Sequence, residues 1–286
     1  MGSRIDRRGF ILGGGVSLAT AALVGCGGNQ PVTESVEPAA SPKAARPDLS
    51  IGFQSYSLRN FKPLDKFILE AEKLGLEYVE LYSGLLETSA STEEIKDAKQ
   101  RLAAIGLTVN AFGVENFTAD HEQNEALFRF GKELGVTNLS AYPTKDAFAS
   151  LEQLVVQYDI RIAIHNHGPE DEIWARPDWI LEAVEGLDPR IGACLDTGWV
   201  LMAGVDAVEA IEMLGARVLG VHLKDFTKEG EEVIPGDGLL DLDRTLSALQ
   251  EVGFNGPLSL EYEESPENPV PDMLETVKRI RSWIES

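Results

Sequence analysis

Residues 63–82, PLDKFILEAEKLGLEYVELY, hold one full cycle of the pattern that decides the fold. Leu64, Phe67, Ile68, Ala71 and Leu74 recur at the spacing of a helix with one apolar face. Gly75 follows, where a left-handed residue ends a helix at little cost. Tyr78–Tyr82 then reads as a short strand. Working outward, Thr92–Ile105 and Glu122–Leu134 repeat the helical period, and Gly106, Gly135, Gly186, Gly215 and Gly253 repeat the stop. The remaining strands are predicted over Ser50–Tyr56, Thr108–Val114, Asn138–Tyr142, Arg161–His165, Gly192–Asp196, Val218–His222 and Leu258–Tyr262. Eight such units over residues 49–286 predict an α/β protein, a closed (β/α)8 TIM barrel, whose usual length is about 250 residues. The alternative, a doubly wound open sheet, would carry a glycine-rich phosphate turn after its first strand. Here that strand runs into Ser57-Leu58-Arg59, so no nucleotide cofactor is expected.

The composition is that of a globular protein, 43% hydrophobic and 25% charged, which sets aside disorder and coiled coil for the bulk of the chain. A formal charge of −22 repels phosphate backbones, so nucleic acid is not an expected partner. The two cysteines cannot build a disulfide framework. Arg4, Arg7 and Arg8 precede a small, apolar run to Gly25, which resembles a twin-arginine export signal over residues 1–25. Leu23-Val24-Gly25-Cys26 resembles a lipobox with Cys26 as the lipidated residue; the alternative is a cleaved soluble signal with an incidental cysteine. Residues 26–48 are polar and rich in Pro, Ser, Ala and Glu, and read as a flexible tether. The expected location is outside the cytoplasmic membrane, with membrane contact only through the lipid; the sequence leaves the oligomeric state open.

In a barrel of this kind the chemistry sits at the carboxyl ends of the strands. Strand five ends Ile164-His165-Asn166-His167, strand six Leu195-Asp196-Thr197-Gly198, strand seven Val221-His222-Leu223-Lys224-Asp225, and strand eight Leu260-Glu261-Tyr262-Glu263. His165, Asp196, His222 and Glu261 therefore leave apolar strands on four successive units, where an imidazole or carboxylate needs a partner. One divalent metal would satisfy all four, and the mixed nitrogen and oxygen donors favour Mn, Co, Zn or Fe over Mg. The alternative is a set of hydrogen-bonded residues lining a metal-free sugar pocket. His121 reads as a helix-start residue on the surface, Cys194 as a small buried apolar residue, and Trp174 and Trp179 as packing. Trp199, three residues after Asp196, is expected to overlook the pocket as a sugar platform, with Gln54 and Asn166 as further substrate contacts.

These motifs, together with Pro235-Gly236-Asp237-Gly238, resemble the sugar phosphate isomerase/epimerase family of xylose-isomerase-like TIM barrels over Leu49–Ser286. The resemblance implies one divalent metal held by His165, Asp196, His222 and Glu261. Ketose epimerases of that superfamily carry a glutamate where this chain has His165, and many members have a histidine where it has Trp199. The opposed pair of glutamates that performs 3-epimerisation there is thus absent here.

The activity expected is that of a metal-dependent isomerase, epimerase or lyase on a small carbohydrate, a keto-sugar or keto-glycoside, through an enediolate. Glu261 or Glu263 is expected as the base, and Lys224, His167 or Glu80 as the group on the other side; an ion pair of Glu80 with Lys224 is the alternative for that residue. The contrasting function is a lipid-anchored sugar-binding protein without turnover.

Overall fold

The computed structural model describes residues 49–286; the expected leader over residues 1–25, Cys26 and the expected tether over residues 26–48 lie outside the described residues. The chain alternates β1 (Ile51–Gln54), α1 (Leu64–Leu74), β2 (Tyr78–Leu81), α2 (Thr92–Ala104), β3 (Thr108–Phe117), α3 (His121–Leu134), β4 (Asn138–Pro143), α4 (Phe148–Tyr158), β5 (Arg161–His165) and α5 (Pro177–Val184). It continues through β6 (Ile191–Asp196), α6 (Thr197–Met202), α7 (Ala207–Leu214), β7 (Val218–Leu223), a hairpin of β8 (Asp225–Phe226) and β9 (Glu232–Val233), α8 (Leu242–Glu251), β10 (Leu258–Leu260) and α9 (Val270–Glu285). Eight parallel strands close in the order β1-β10-β7-β6-β5-β4-β3-β2, the barrel that the alternation predicts.

Local chemistry sets the boundaries. In α1, Phe67, Ala71 and Leu74 are buried against the barrel, and Gly75 ends the helix in the left-handed region at φ 58°. Ser91 and Glu94 form a reciprocal capping box at the start of α2, satisfying two otherwise unpaired N–H groups. No helix among the described residues is long and apolar enough to cross a membrane.

Three strand ends differ from the sequence reading by two residues or more. β1 stops at Gln54 rather than Tyr56, because the Gln54 Oε1 accepts from Tyr56 N at 3.1 Å and turns the chain into a 3-10 helix. β10 stops at Leu260; beyond it Tyr262 N donates to Ser57 Oγ at 3.0 Å rather than to a strand neighbour. β3 runs on to Phe117 past a register shift around Gly113, where a side chain would meet Ser140 O at 2.2 Å. The hairpin β8–β9 was also unforeseen and projects beyond the end of β7.

Candidate metal and substrate site

The four residues predicted as ligands converge. One nitrogen or oxygen from each of His165, Asp196, His222 and Glu261 lies within 4.8 Å of the others, and all four side chains are buried. Asp196 is held by its neighbours: its Oδ1 caps α6 by accepting from Trp199 N at 2.8 Å. Asn166 brackets the Asp196 backbone, accepting from its N–H at 2.8 Å and donating to its carbonyl at 3.1 Å. The other oxygen, Oδ2, has no hydrogen-bond partner and lies 3.6 Å from His165 Nε2, which has none either. Buried polar atoms seldom stay without a hydrogen bond, and here two face each other within the candidate cluster. These donors fit a divalent cation, with two imidazoles and two carboxylates in its reach.

His222 is spanned by two carboxylates, its Nδ1 3.0 Å from Glu261 Oε2 and its Nε2 3.0 Å from Glu80 Oε2. Burial disfavours a charged ring, yet Cys194, Glu80 and Glu261 together outweigh it and hold the imidazole pKa well above the ordinary value. Glu80 therefore sits on His222 and not on Lys224. It has the geometry of a carboxylate that orients a metal-binding histidine from behind, with Ser259 Oγ 3.4 Å from the same oxygen. Glu80→Gln is expected to weaken zinc binding about 10- to 100-fold while the fold persists, as measured by competition with a chromogenic chelator.

Lys224 is 1% exposed and pairs with Glu263, with Glu261 Oε2 at 3.4 Å and with Asp196 Oδ2 at 3.9 Å. Burial alone would lower its pKa; Glu261, Asp196 and Glu263 reverse that and raise it. The Glu261 carboxyl is in turn held well below the usual range: burial opposes this, and Lys224 and His222 overcome it.

Trp199 packs on Phe226 with ring centroids 4.7 Å apart and has Lys224 Nζ 5.7 Å from its ring centre. Gly168 lies on its other side, where a Cβ would come within 3.2 Å of the indole. It thus forms a wall beside Asp196. Gln54 and Asn166 spend their amides on the framework: Gln54 accepts from Ser55 Oγ and Tyr56 N and donates to Gly113 O, and Asn166 holds the Asp196 backbone. Trp174 is fully buried, Trp179 lies at the surface, and His121 is exposed at the start of α3, bonded to Ser150 Oγ. Cys194 is buried, which pushes its thiol pKa up.

His167 stacks edge-on against His165, centroids 4.6 Å apart, and lines a cavity of about 570 Å³ with Tyr142, Asp171, Val114, Asn116 and Ile173. Burial and the neighbouring His165 lower its pKa to about 4. Two larger cavities lie against α1–α2 and α8–α9, away from this chemistry. Sequence reasoning missed Glu232 on the hairpin. It accepts from Glu263 N at 2.9 Å, and burial, partly offset by Lys224, raises its pKa to about 8. Nothing marked it within the charged run 228–232.

The fold and site together define a (β/α)8 barrel with a convergent His/Asp/His/Glu cluster at the strand ends. The chain belongs to the xylose isomerase-like TIM barrel family, whose profile matches residues 68–283. It is 22% identical over 260 residues to an inosose dehydratase of Clostridium perfringens, covering 82% of this chain and 85% of that one. It is 27% identical over 173 residues to a 3-oxo-isoapionate decarboxylase of Pectobacterium atrosepticum, covering 54% and 60%. Among solved structures, an IolI protein with a bound zinc atom is similar with a TM-score of 0.64 at 19% identity, covering 82% and 98%, a likeness of fold.

Proposed function

We propose that this chain is a divalent-metal-dependent enzyme that removes a proton beside the ketone of a keto-sugar or keto-glycoside and completes an elimination, isomerisation or epimerisation. The observation that carries the reading is the set of four buried side chains whose ligand atoms lie within 4.8 Å of one another, with Asp196 Oδ2 and His165 Nε2 free of any hydrogen bond and His165 packed on His167, which lines a cavity of sugar size. The similarity to a dehydratase and to a decarboxylase of an oxo compound supports a keto substrate. When bound by His165, Asp196, His222 and Glu261, the cation supplies Lewis acidity to neighbouring substrate oxygens.

The chain's own residues divide the remaining work. Glu263 is 32% exposed whereas Glu261 is buried, so it is the carboxylate free to meet a carbon-bound proton, and Lys224 fixes its position. Deprotonation leaves an enediolate whose negative charge the buried Lys224 offsets. His167 follows β5 whereas Glu263 follows β10, with β6 and β7 between them in the barrel. It therefore meets the substrate from another side, where its neutral ring accepts a proton from a substrate hydroxyl and hands it on. The proton that Glu263 removes goes from Glu263 to the departing oxygen in elimination or to the neighbouring carbon in isomerisation. No arginine or lysine lines the 570 Å³ cavity, which suits a neutral sugar or glycoside better than a sugar phosphate. The resemblance of residues 1–25 to an export signal supports action outside the cytoplasmic membrane.

The test is elemental analysis of protein purified without chelators, then incubation of the manganese-loaded protein with a ketose and with a 3-keto-glucoside in deuterated water. Bound metal with deuterium incorporation or product is expected. A metal-free protein that refuses added Mn and Zn, with no exchange into either substrate, would overturn the reading; sugar binding without exchange would favour a binding protein.

A further inference from the structure

Four residues beyond His167 in the loop after β5 stands Asp171, which no motif singles out and which the proposed mechanism does not use. Its side chain is 5% exposed. One carboxylate oxygen, Oδ1, accepts three hydrogen bonds, from Tyr142 OH at 2.8 Å, Ile173 N at 2.8 Å and Trp174 N at 3.1 Å. The other, Oδ2, is buried with no partner. It lies 3.7 Å from His167 Nδ1, which is likewise buried with no partner.

We infer that Asp171 is the positioning residue of His167, fixing the proton on Nδ1 so that Nε2 faces the substrate cavity as the working nitrogen. The inference rests on the proposed role of His167 as a proton carrier, but its geometry is independent of that role.

Three donors converging on Oδ1 prevent the carboxylate from turning without losing them, so Oδ2 stays aimed at the ring. The donors are themselves rigid. Trp174 is fully buried, with its indole N–H donating to Pro143 O at 2.9 Å, and this fixes the loop that supplies two of them. The third donor, Tyr142, also packs edge-to-face with His167, centroids 5.0 Å apart at 82°, and His165 packs against the same ring with centroids 4.6 Å apart. The imidazole is therefore confined in orientation, and a shift of well under one ångström brings Nδ1 within hydrogen-bond range of Oδ2. A buried carboxylate oxygen and a buried ring nitrogen are each costly to leave unpaired, and each is the other's nearest partner. The His167 side chain is 43% exposed although Nδ1 is buried, so its open edge is the Nε2 edge. A carboxylate behind one ring nitrogen sets the tautomer and leaves the other free for proton transfer.

The chain has only four histidines, so the test is a long-range ¹H–¹⁵N correlation spectrum of the zinc-loaded protein in mildly alkaline buffer, with the His167 signals identified by their loss in His167→Gln. Expected is a protonated Nδ1 and a pyridine-type Nε2 for His167, with the proton moved to Nε2 in Asp171→Asn, whose amide donates where the carboxylate accepted. Tyr142→Phe leaves the carboxylate in place and is expected to retain the Nδ1–H tautomer. A wild-type His167 protonated at Nε2, or an unchanged tautomer in Asp171→Asn, overturns the inference; the wild-type arm stands even if the variant does not fold. If the deuterium exchange proposed above is found, Asp171→Asn is expected to lower kcat about 100-fold or more with little change in KM. The tautomer is read without substrate, so failure of the functional proposal does not alter this result.

Discussion

Asp225→Ala is expected to destabilise the barrel by about 4 kcal/mol or more, because it strips the acceptor from several backbone N–H groups at once. Asp225 is fully buried at the exit of β7. Its Oδ1 accepts from Phe226 N at 2.8 Å and Leu240 N at 2.9 Å, and its Oδ2 from Gly236 N and Gly238 N, both at 2.9 Å. One carboxylate thus closes the whole excursion from β7 to α8, including the Pro235-Gly236-Asp237-Gly238 turn. Gly238 approaches so closely that a Cβ would stand 2.4 Å from Phe226 O, so the turn cannot simply be re-made with another residue. Asp225→Asn keeps the shape but points an amide N–H₂ at two N–H donors, and should cost nearly as much as alanine. Denaturant titration of each variant checks this, and a loss below about 1 kcal/mol for both would show that water replaces the carboxylate readily. The hairpin carries Phe226 against Trp199 and Glu232 against the Glu263 backbone, so the same variants should also loosen the pocket wall.

That knot shows where the sequence stops being readable. Phe67, Ala71 and Leu74 announce their buried face through spacing along one helix, and His165, Asp196, His222 and Glu261 announce theirs by following apolar strands, so both were legible from local pattern. Asp225 directly precedes Phe226 but acts mainly on backbone 11 to 15 residues away. Gln54 and Asn166 stand at strand ends as a substrate contact would, yet their amides serve Gly113 and Asp196 across neighbouring elements. Those pairings depend on barrel register, including the shift between Phe112 and Glu115 at which Gly113 stands where β3 meets β4. Glu80 was recognisable as pocket-facing, but its choice of His222 over Lys224 is settled only when β2 and β7 face each other across the closed barrel. Residue type and strand position therefore reveal which groups reach the site; which group each one grips is a property of closure.

Opposite effects on metal binding are expected from two side chains only 3.4 Å apart, Glu261 and Lys224. Glu261→Gln removes a carboxylate ligand and should lower zinc or manganese affinity by at least about 100-fold, since even residues behind the ligands are worth 10- to 100-fold. Deuterium exchange into a keto substrate should vanish with it. Lys224→Met acts through competition. In the metal-free protein the ammonium neutralises Asp196, Glu261 and Glu263, and its loss leaves buried carboxylates without a cation, a destabilisation of about 3 kcal/mol. A bound divalent cation takes over that neutralisation at Asp196 and Glu261, and in the wild type it does so against the repulsion of a positive charge held 3.9 Å and 3.4 Å from the same two oxygens. Removing the lysine therefore raises the free energy of the empty site and lowers that of the filled one. Lys224→Met should melt earlier than wild type without metal, bind the ion more tightly, and show the larger metal-induced rise in Tm. Calorimetric titration with zinc alongside thermal melts decides it: weaker binding in both variants would mean that Lys224 organises the carboxylates for the cation instead of competing with it.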